Sequence, residues 1–208
     1  MTQSCTHKID LENLPSYVVH DTNTSTAPQV LTTRAQDLNF PLSATDKQDI
    51  AILEAKYDQE KNCAGLAAPQ IGIAKRFFIF AVDDPEMVKW RPDLTDFMPK
   101  SIWINPIYTP IGPEKTSDYE GCFSVKDVAG EVARYKKIKY EAYAPNGDKI
   151  EGVAEGFLAR VIQHETDHTL GTLFLDKATQ GSVMTMEEYR TKRKAAMEED
   201  ADTSKAQE

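Results

Sequence analysis

The segment "GFLARVIQHETDHTLG", residues 156–171, constrains the fold more than any other part of the chain. Its apolar residues recur at intervals of three and four, which predicts a helix, and the glycine at its end is a typical stop. One stripe of this helix carries five residues: Phe157, Val161, His164, Glu165 and His168. The segment therefore predicts a helix on which two histidines and an acid share a face with apolar side chains.

Strand-like segments come before this helix. The runs "RFFIFAV" and "SIWINPIY" are apolar, and Pro106 is expected to break the second. "KIKYEAYA" and "DKIEGVA" are joined by Pro-Asn-Gly. Asn-Gly supplies the positive φ angles that a tight turn requires, so these two runs predict a β-hairpin.

Further helices are predicted towards both ends. A helix over about 46–60 would begin at a capping box of Thr45 and Gln48 and would present Ile50, Leu53 and Tyr57 on one face. The last twenty or so residues suit an exposed helix that ends in a polar tail. Strands followed by a helix, with helices at the ends, predict an α+β fold.

The composition bounds the function. The 208 residues are enough for one domain, and the net charge of −9 argues against a main grip on nucleic-acid backbone or anionic lipid. No apolar run approaches the roughly 20 residues that span a bilayer. The three widely spaced cysteines argue against a disulfide framework and favour a reducing compartment. We therefore expect a cytoplasmic protein without a membrane or a specific DNA partner, although an organellar location stays open.

The motif "QHETDH" predicts a metal site. Residues four apart lie one helical turn above each other, so the imidazoles of His164 and His168 can reach one cation. Glu165 would stand close to that metal without having to ligate it and could transfer protons there. The alternative is a polar patch on an exposed helix face.

A catalytic site of this kind needs a third protein ligand. Cys122 in "YEGCFSV" is the preferred candidate, since a thiolate with two imidazoles leaves a position open for water. His7 and His20 rank below it because they lie in the polar N-terminal extension. The small residues of "CAGLAAPQIG" would let backbone approach a ligand, and Gln70 adds an amide donor. A tight loop between helix and strand would explain the same segment.

Together, "CAGLAAPQ", "EGCFS" and "QHETDH" resemble, in order and approximate spacing, the three motifs of the peptide deformylases. The resemblance covers roughly residues 30–180. It implies a catalytic domain over 29–180, an N-terminal extension over 1–28 and a C-terminal helix with a polar tail over 181–208. It also implies antiparallel sheets surrounding the central helix that carries the HExxH motif.

The resemblance further implies a chemistry: removal of the formyl group from the N-terminal methionine of nascent polypeptides. It implies one divalent metal on Cys122, His164 and His168, with Fe²⁺ the usual physiological ion and Zn²⁺, Ni²⁺ or Co²⁺ able to occupy the site. Glu165 would be the general acid/base. The Gln70 side chain and the backbone N–H of Phe123 would hold the oxyanion.

Substrate contacts are also implied. The backbone of Gly65 would lie beside the peptide, and four side chains would contact the substrate: Ala64, Glu120, Phe157 and Val161. Core packing explains the last two equally well. The sequence departs from the common family pattern at five positions, and three of these departures leave the substrate preference open, namely Phe123, Lys126 and Ala129; the other two are Cys63 and Thr169.

Two other functions stay open at this point. A metallopeptidase could use the same HExxH helix, and unformylated peptides would then be substrates. A non-catalytic, deformylase-like protein could bind peptides, although such a protein would be expected to lack Glu165. N-formylmethionyl peptides are the expected partners, with the ribosome near its exit tunnel as a further one, contacted through the basic cluster of Arg190, Lys192, Arg193 and Lys194.

Overall fold

The computed structural model describes residues 9–23, 26–61, 63–89, 91 and 93–205, with side chains described as far as residue 195. The helices are α1 (Gln29–Thr32), α2 (Ala44–Gln59), α3 (Gly156–Thr169) and α4 (Met186–Lys205). The strands are β1 (Gly65–Ala67), β2 (Phe77–Val82), β3 (Met98–Pro110), β4 (Lys115–Cys122), β5 (Val125–Tyr135), β6 (Lys137–Tyr143), β7 (Lys149–Glu155) and β8 (Met184–Thr185). Short 3₁₀ helices span Ala68–Ile71, Pro85–Lys89 and Phe174–Lys177.

The strands form two antiparallel sheets. The first has five strands in the order β1-β2-β3-β6-β7, and the second has three in the order β4-β5-β8. Trp103 of β3 packs edge-on against Phe80 of β2 and lies 4.6 Å, centroid to centroid, from Tyr140 of β6. This combination of helices with antiparallel sheets is the α+β architecture that the order of elements predicts.

Helix α3 contacts β1, β2, β3, β6 and β7 of the first sheet and β5 of the second. Its apolar side chains join the aromatic core of the first sheet, where Leu158 and Ile162 are almost fully buried. Its C-terminal end is followed by Gly171, whose φ of 75° is the left-handed conformation expected of a helix stop. Both sheets can therefore bring residues to this helix.

Helix α2 begins earlier than the sequence predicts. Ser43, not Thr45, is the N-cap: its hydroxyl accepts from the backbone N–H of Asp46, whose carboxylate accepts from the Ser43 N–H. The predicted Thr45–Gln48 pair is wrong because both residues already lie inside the helix. The predicted inner face is confirmed for Ile50 and Leu53, which are buried.

Strand β3 continues through Pro106, where the sequence predicts a break. Its first half pairs with β2 as far as Ile104, and its second half pairs with β6 from the same residue, with a register shift before Ile107. Proline lacks the N–H that a ladder uses, and the exchange of partners at this point accommodates it. The predicted hairpin is confirmed, since β6 pairs with β7 throughout and Gly147 has a φ of 92°.

The family resemblance implies antiparallel sheets, but no segment of the second sheet is predicted to be a strand from its own residues. Strand β4 reads "KTSDYEGC", which lacks the apolar alternation of a half-buried strand, and most of its residues are exposed or half-buried. Its pairing with β5 places Cys122 at the turn between the two strands. Among the described residues no helix is long and apolar enough to cross a membrane.

Candidate functional site

Cys122, His164 and His168 converge on one point. The two imidazoles lie on adjacent turns of α3, and their Nε2 atoms are 3.1 Å apart. Cys122 at the end of β4 places its Sγ 3.3 Å from His168 Nε2, and the ligand atoms of the three residues all lie within 4.8 Å of one another. His20 is not part of this group, and His7 lies outside the described residues.

The three residues fit a divalent metal ion. Donors held at about 2.0–2.3 Å from a tetrahedral metal stand about 3.3–3.7 Å apart, close to the separations seen here. A thiolate and two imidazoles leave room for a further ligand, whereas structural sites close with four protein donors. Cys63 does not join them: its S–H donates to the Gly65 carbonyl at 3.0 Å, and burial raises the pKa of its thiol.

Glu120 is buried and lies against His164. His164 Nδ1 is 2.8 Å from one carboxylate oxygen, and both Arg134 and Arg160 donate to the same carboxylate. Although burial alone would raise it, the hydrogen bonds from Arg134 and His164 hold the pKa of Glu120 well below its usual range. The bond to Nδ1 fixes the His164 ring, with its other nitrogen, Nε2, directed at His168 Nε2. Contact of Glu120 with a substrate stays a prediction.

A second buried acid extends this network. Asp167 accepts from Arg134, from Lys177 at 2.6 Å and from the Tyr108 hydroxyl at 3.2 Å. Sequence reasoning missed the arginines and Asp167, although a charged residue such as Arg160 within an apolar helical run signals a buried partner. The network ties α3 to β5 and to β4, the strand that ends at Cys122.

Glu165 faces the site from the same turn as His164. Its side chain is only 4% exposed, and burial raises the pKa of its carboxyl to about 7. One of its oxygens, Oε2, has no hydrogen-bond partner among the described residues. Gly65 lies directly over this side chain, because a Cβ built on Gly65 would come within 2.6 Å of Glu165 Cγ.

Gln70 and Phe123 flank Cys122. Gln70 Oε1 accepts from the Ala67 N–H at 2.7 Å, which directs Nε2 towards Cys122 Sγ at 3.2 Å. Phe123 lies in the turn between β4 and β5, and its ring is 39% exposed. The structure therefore places Gln70 Nε2 at Cys122 Sγ and Phe123 directly after Cys122 in the turn.

The predicted pocket residues lie in one apolar cluster. Phe157 and Val161 are 7% and 5% exposed and belong to the core of the first sheet, and Ala64 packs against the same cluster. The Arg91 guanidinium covers the Phe157 ring at 4.6 Å. Phe157 and Val161 lie two turns and one turn before Glu165 on α3 and serve as core, and their contact with a substrate stays a prediction.

The other departures from the family pattern have structural roles. Ala129 is fully buried in β5, opposite Met184 of β8. Lys126 pairs with Asp21 of the N-terminal segment at 3.2 Å. Thr169 is buried and donates to the Thr166 carbonyl at 2.8 Å.

Comparison with known proteins agrees with this geometry. The family model described as polypeptide deformylase matches residues 22–183. Peptide deformylase 2 of Rickettsia conorii is 59% identical over 191 residues, which cover 90% of this chain and 95% of that protein. Peptide deformylase 1 of Prochlorococcus marinus is 40% identical over 136 residues, 64% of this chain and 69% of that one.

Solved structures agree as well. The Met-Ala-Ser-bound class I type b peptide deformylase of Acinetobacter baumannii superposes with a TM-score of 0.66 at 27% identity, over 79% of this chain and 98% of that one. Peptide deformylase of Thermotoga maritima superposes with a TM-score of 0.63 at 30% identity, over 80% of this chain and 99% of that one. The chain belongs to the peptide deformylase family, whose general function is the metal-dependent removal of the formyl group from the N-terminal methionine of new polypeptides.

Proposed function

We propose that this chain deformylates N-formylmethionyl peptides at the site formed by Cys122, His164 and His168, with Glu165 as the general acid/base. One observation carries the proposal: three metal-ligating atoms from two elements lie within 4.8 Å of one another, beside a buried carboxylate. In this interpretation α3 is the central helix of the family fold, and 29–180 is the catalytic domain.

Cys122, His164 and His168 would hold a divalent ion, for which we propose Fe²⁺. Mixed thiolate and imidazole donors also suit Zn²⁺, Ni²⁺ and Co²⁺. Such an ion, when bound, supplies Lewis acidity and a hydroxide nucleophile at neutral pH. Glu120 keeps His164 in the ligating orientation through its bond to Nδ1.

Glu165 would transfer the protons of the reaction. Formamide hydrolysis consumes one water and yields formate and a free amine, so one proton must leave the attacking water and another must reach the departing nitrogen. Glu165 Oε2 can do both in turn because no other group of the described residues occupies it. Gly65 leaves the space above this carboxylate clear of any side chain.

Two donors would stabilise the oxyanion that forms on the formyl oxygen. Gln70 Nε2 already points at the ligand cluster, held there by the Ala67 N–H on its other amide atom. The backbone N–H of Phe123 is the second proposed donor. Loss of one such donor typically costs about 10² to 10³ in rate.

The substrate methionine would bind near Ala64, Phe157 and Val161, which form one apolar cluster next to Glu165. The backbone of Gly65, at the end of strand β1, would pair with the peptide. The Acinetobacter relative was crystallised with Met-Ala-Ser, the deformylated form of a short substrate. Met-Ala-Ser is therefore our choice of peptide for this chain.

We propose a cytoplasmic enzyme that meets its substrates at the ribosome, because formylated N-termini belong to newly made chains. The basic residues of α4 are the proposed contact with ribosomal RNA near the exit tunnel. Lys192 of this group donates to the Tyr119 hydroxyl at 3.1 Å, so the helix is anchored beside β4, the strand that carries Cys122.

Anaerobically purified protein, given formyl-Met-Ala-Ser, should release formate and hold about one metal ion per chain. Cys122→Ser should lose most of the metal and most of the formate release. Cys63→Ser is the matched control and should keep its metal, because Cys63 stands outside the ligand group. Full metal with no formate would refute the proposed activity, and cleavage of unformylated peptides would favour the metallopeptidase alternative.

A further inference from the structure

The N-terminal segment crosses the site. The Val18 N–H donates to the Gln70 carbonyl at 2.8 Å, and the His20 N–H donates to the Ser124 carbonyl at 2.8 Å. The Lys126 N–H in turn donates to the His20 carbonyl at 3.1 Å. Residues 17–20, which we name the N-terminal strap, therefore bond to the backbone on both sides of the metal ligands.

These two sides are the segments that carry the proposed oxyanion donors. Gln70 belongs to the 3₁₀ helix Ala68–Ile71, and Phe123 belongs to the β4–β5 turn. They are distant in sequence and come from different parts of the fold. The strap forms hydrogen bonds with both segments, and it therefore fixes the distance between the two segments.

Side chains of the strap hold the same two segments. The Tyr17 ring stacks on the Phe123 ring, with centroids 4.9 Å apart and planes 11° apart. Tyr17 also contacts Lys56 of α2, whose Nζ lies 4.5 Å from the ring centroid, and it packs against the apolar cluster that includes Cys63. Its hydroxyl lies near the Glu60 carboxylate. Val18 packs instead on the cluster that includes Cys122.

We propose that Tyr17 is a positioning residue for deformylation: its stacked ring holds the strap in place, and the strap fixes the Phe123 backbone relative to Gln70. This inference rests on the proposed function. Tyr17 does not need to touch the substrate. Its effect is on the alignment of two donors that act when the oxyanion forms, so it should change kcat more than KM.

Tyr17→Ala tests the proposal, with Tyr17→Phe as the conservative rescue. The alanine variant should lower kcat for formyl-Met-Ala-Ser about tenfold, with KM within about twofold, since misaligned groups lose part of what a missing donor would lose. The phenylalanine variant should restore kcat because it keeps the stacked ring. Metal content should be equal in all three proteins.

Amide hydrogen exchange provides a readout that does not depend on activity. In Tyr17→Ala the amides of Val18, His20 and Lys126 should exchange roughly five- to tenfold faster, because they make the strap's bonds. The β6–β7 hairpin should exchange as in the wild type. Tyr143→Ala is the matched control, since Tyr143 belongs to an aromatic pair with Phe40 outside the ligand cluster.

The outcomes separate the two proposals. Unchanged kcat in Tyr17→Ala overturns the positioning role, whether or not the amides exchange faster. A rise in KM at constant kcat also overturns it, because Tyr17 would then be a substrate contact. If metal-loaded wild type releases no formate, the proposed function fails instead, while the exchange rates still decide whether Tyr17 holds the turn.

Discussion

Helices α2 and α3 have similar lengths and both carry charged as well as apolar residues, but their surroundings are opposite. In α2 only Ile50 and Leu53 are buried among the described side chains. In α3 nearly every residue is buried, including Arg160, Glu165 and Asp167. The residue types alone do not separate a surface helix from one that carries a catalytic site.

The partners of the charged residues explain the difference. In α2, Glu54 and Asp58 pair with Lys100 at the surface, where side chains are 40–53% exposed and water weakens the attraction. In α3, Arg160 pairs with Glu120 at 5–6% exposure. A buried charge left without its partner is costly, so the second helix depends on its neighbours in a way that the first does not.

The largest contrast should come from one substitution made in both helices. Glu165→Gln should lower formate release about 10³-fold while keeping the metal, because an amide cannot transfer the protons. Glu54→Gln, in α2, should leave formate release unchanged, since it loses only a surface pair. Steady-state kinetics with metal analysis measures both. Equal activities of Glu165→Gln and wild type would remove Glu165 from the mechanism.

Removal of one charged partner should destabilise the protein more beside α3 than beside α2. Arg134→Met leaves Glu120 and Asp167 buried with fewer partners, and should lower the free energy of unfolding by about 3–5 kcal/mol. Lys100→Met, which breaks the α2 pairs, should cost about 1 kcal/mol or less. Urea unfolding of metal-free protein is the measurement, since bound metal adds its own stabilisation. Similar losses in the two variants would contradict this comparison.

The third comparison concerns two glycines, one packed against the Glu165 side chain of α3 and one in open space. Gly65→Ala should lower kcat about 10- to 100-fold, since its new Cβ would lie 2.6 Å from Glu165 Cγ and displace that side chain. Gly112→Ala is the control: no atom of the described residues lies within 4 Å of the new Cβ, but the φ of 78° at Gly112 makes alanine strained. Gly112→Ala should therefore lose stability and keep formate release. A fully active Gly65→Ala would show that Glu165 does not need this space.

The smallest effect belongs to the start of α2. Hydrogen bonds from Lys75 and Ser43 hold the pKa of Asp46 below its usual value of 3.8. A lowered carboxyl pKa contributes stability that is present above pH 4 or so and is lost as the pH falls through the folded-state pKa. Asp46→Asn should therefore cost about 1 kcal/mol at pH 7, and the difference should shrink below about pH 4.

Asp58→Asn is the matched control for that variant, since Asp58 lies at the C-terminal end of the same helix. A negative charge at this end interacts unfavourably with the helix dipole, so removing it should lower the free energy of unfolding less. Thermal unfolding between pH 3 and pH 7 compares the two. A constant difference for Asp46→Asn across this range would show that the carboxylate charge is not what stabilises the cap.

The sequence predicted which three residues come together better than it predicted the strands around them. The helix at 156–171 and the hairpin before it were expected because their periodicity and Asn-Gly turn are local signals. The ligand triad was expected because its motifs are short and carry their own chemistry. Strands β4 and β5 were not expected. They are held together by backbone pairing, and the many polar residues of β4 show no strand-like alternation in the sequence.

Glu120 shows the same limit at the level of one side chain. The family resemblance implied contact with a substrate, and the structure surrounds Glu120 with Arg134, Arg160 and His164. These partners come from β5 and α3, and no local pattern links them to β4. Tyr17 is a parallel case, because only the folded chain stacks it on Phe123.

What the sequence by itself determined is the set of reactive groups, their order and the elements that carry them. Helical spacing brings His164 and His168 together on any backbone that forms α3. The tertiary structure decided the place of the second acid, Glu120, which lies behind His164 with Arg134 and Arg160 donating to its carboxylate. That choice depends on burial and on charge partners from distant strands, because a carboxylate without water keeps its charge only where cations and N–H groups surround it.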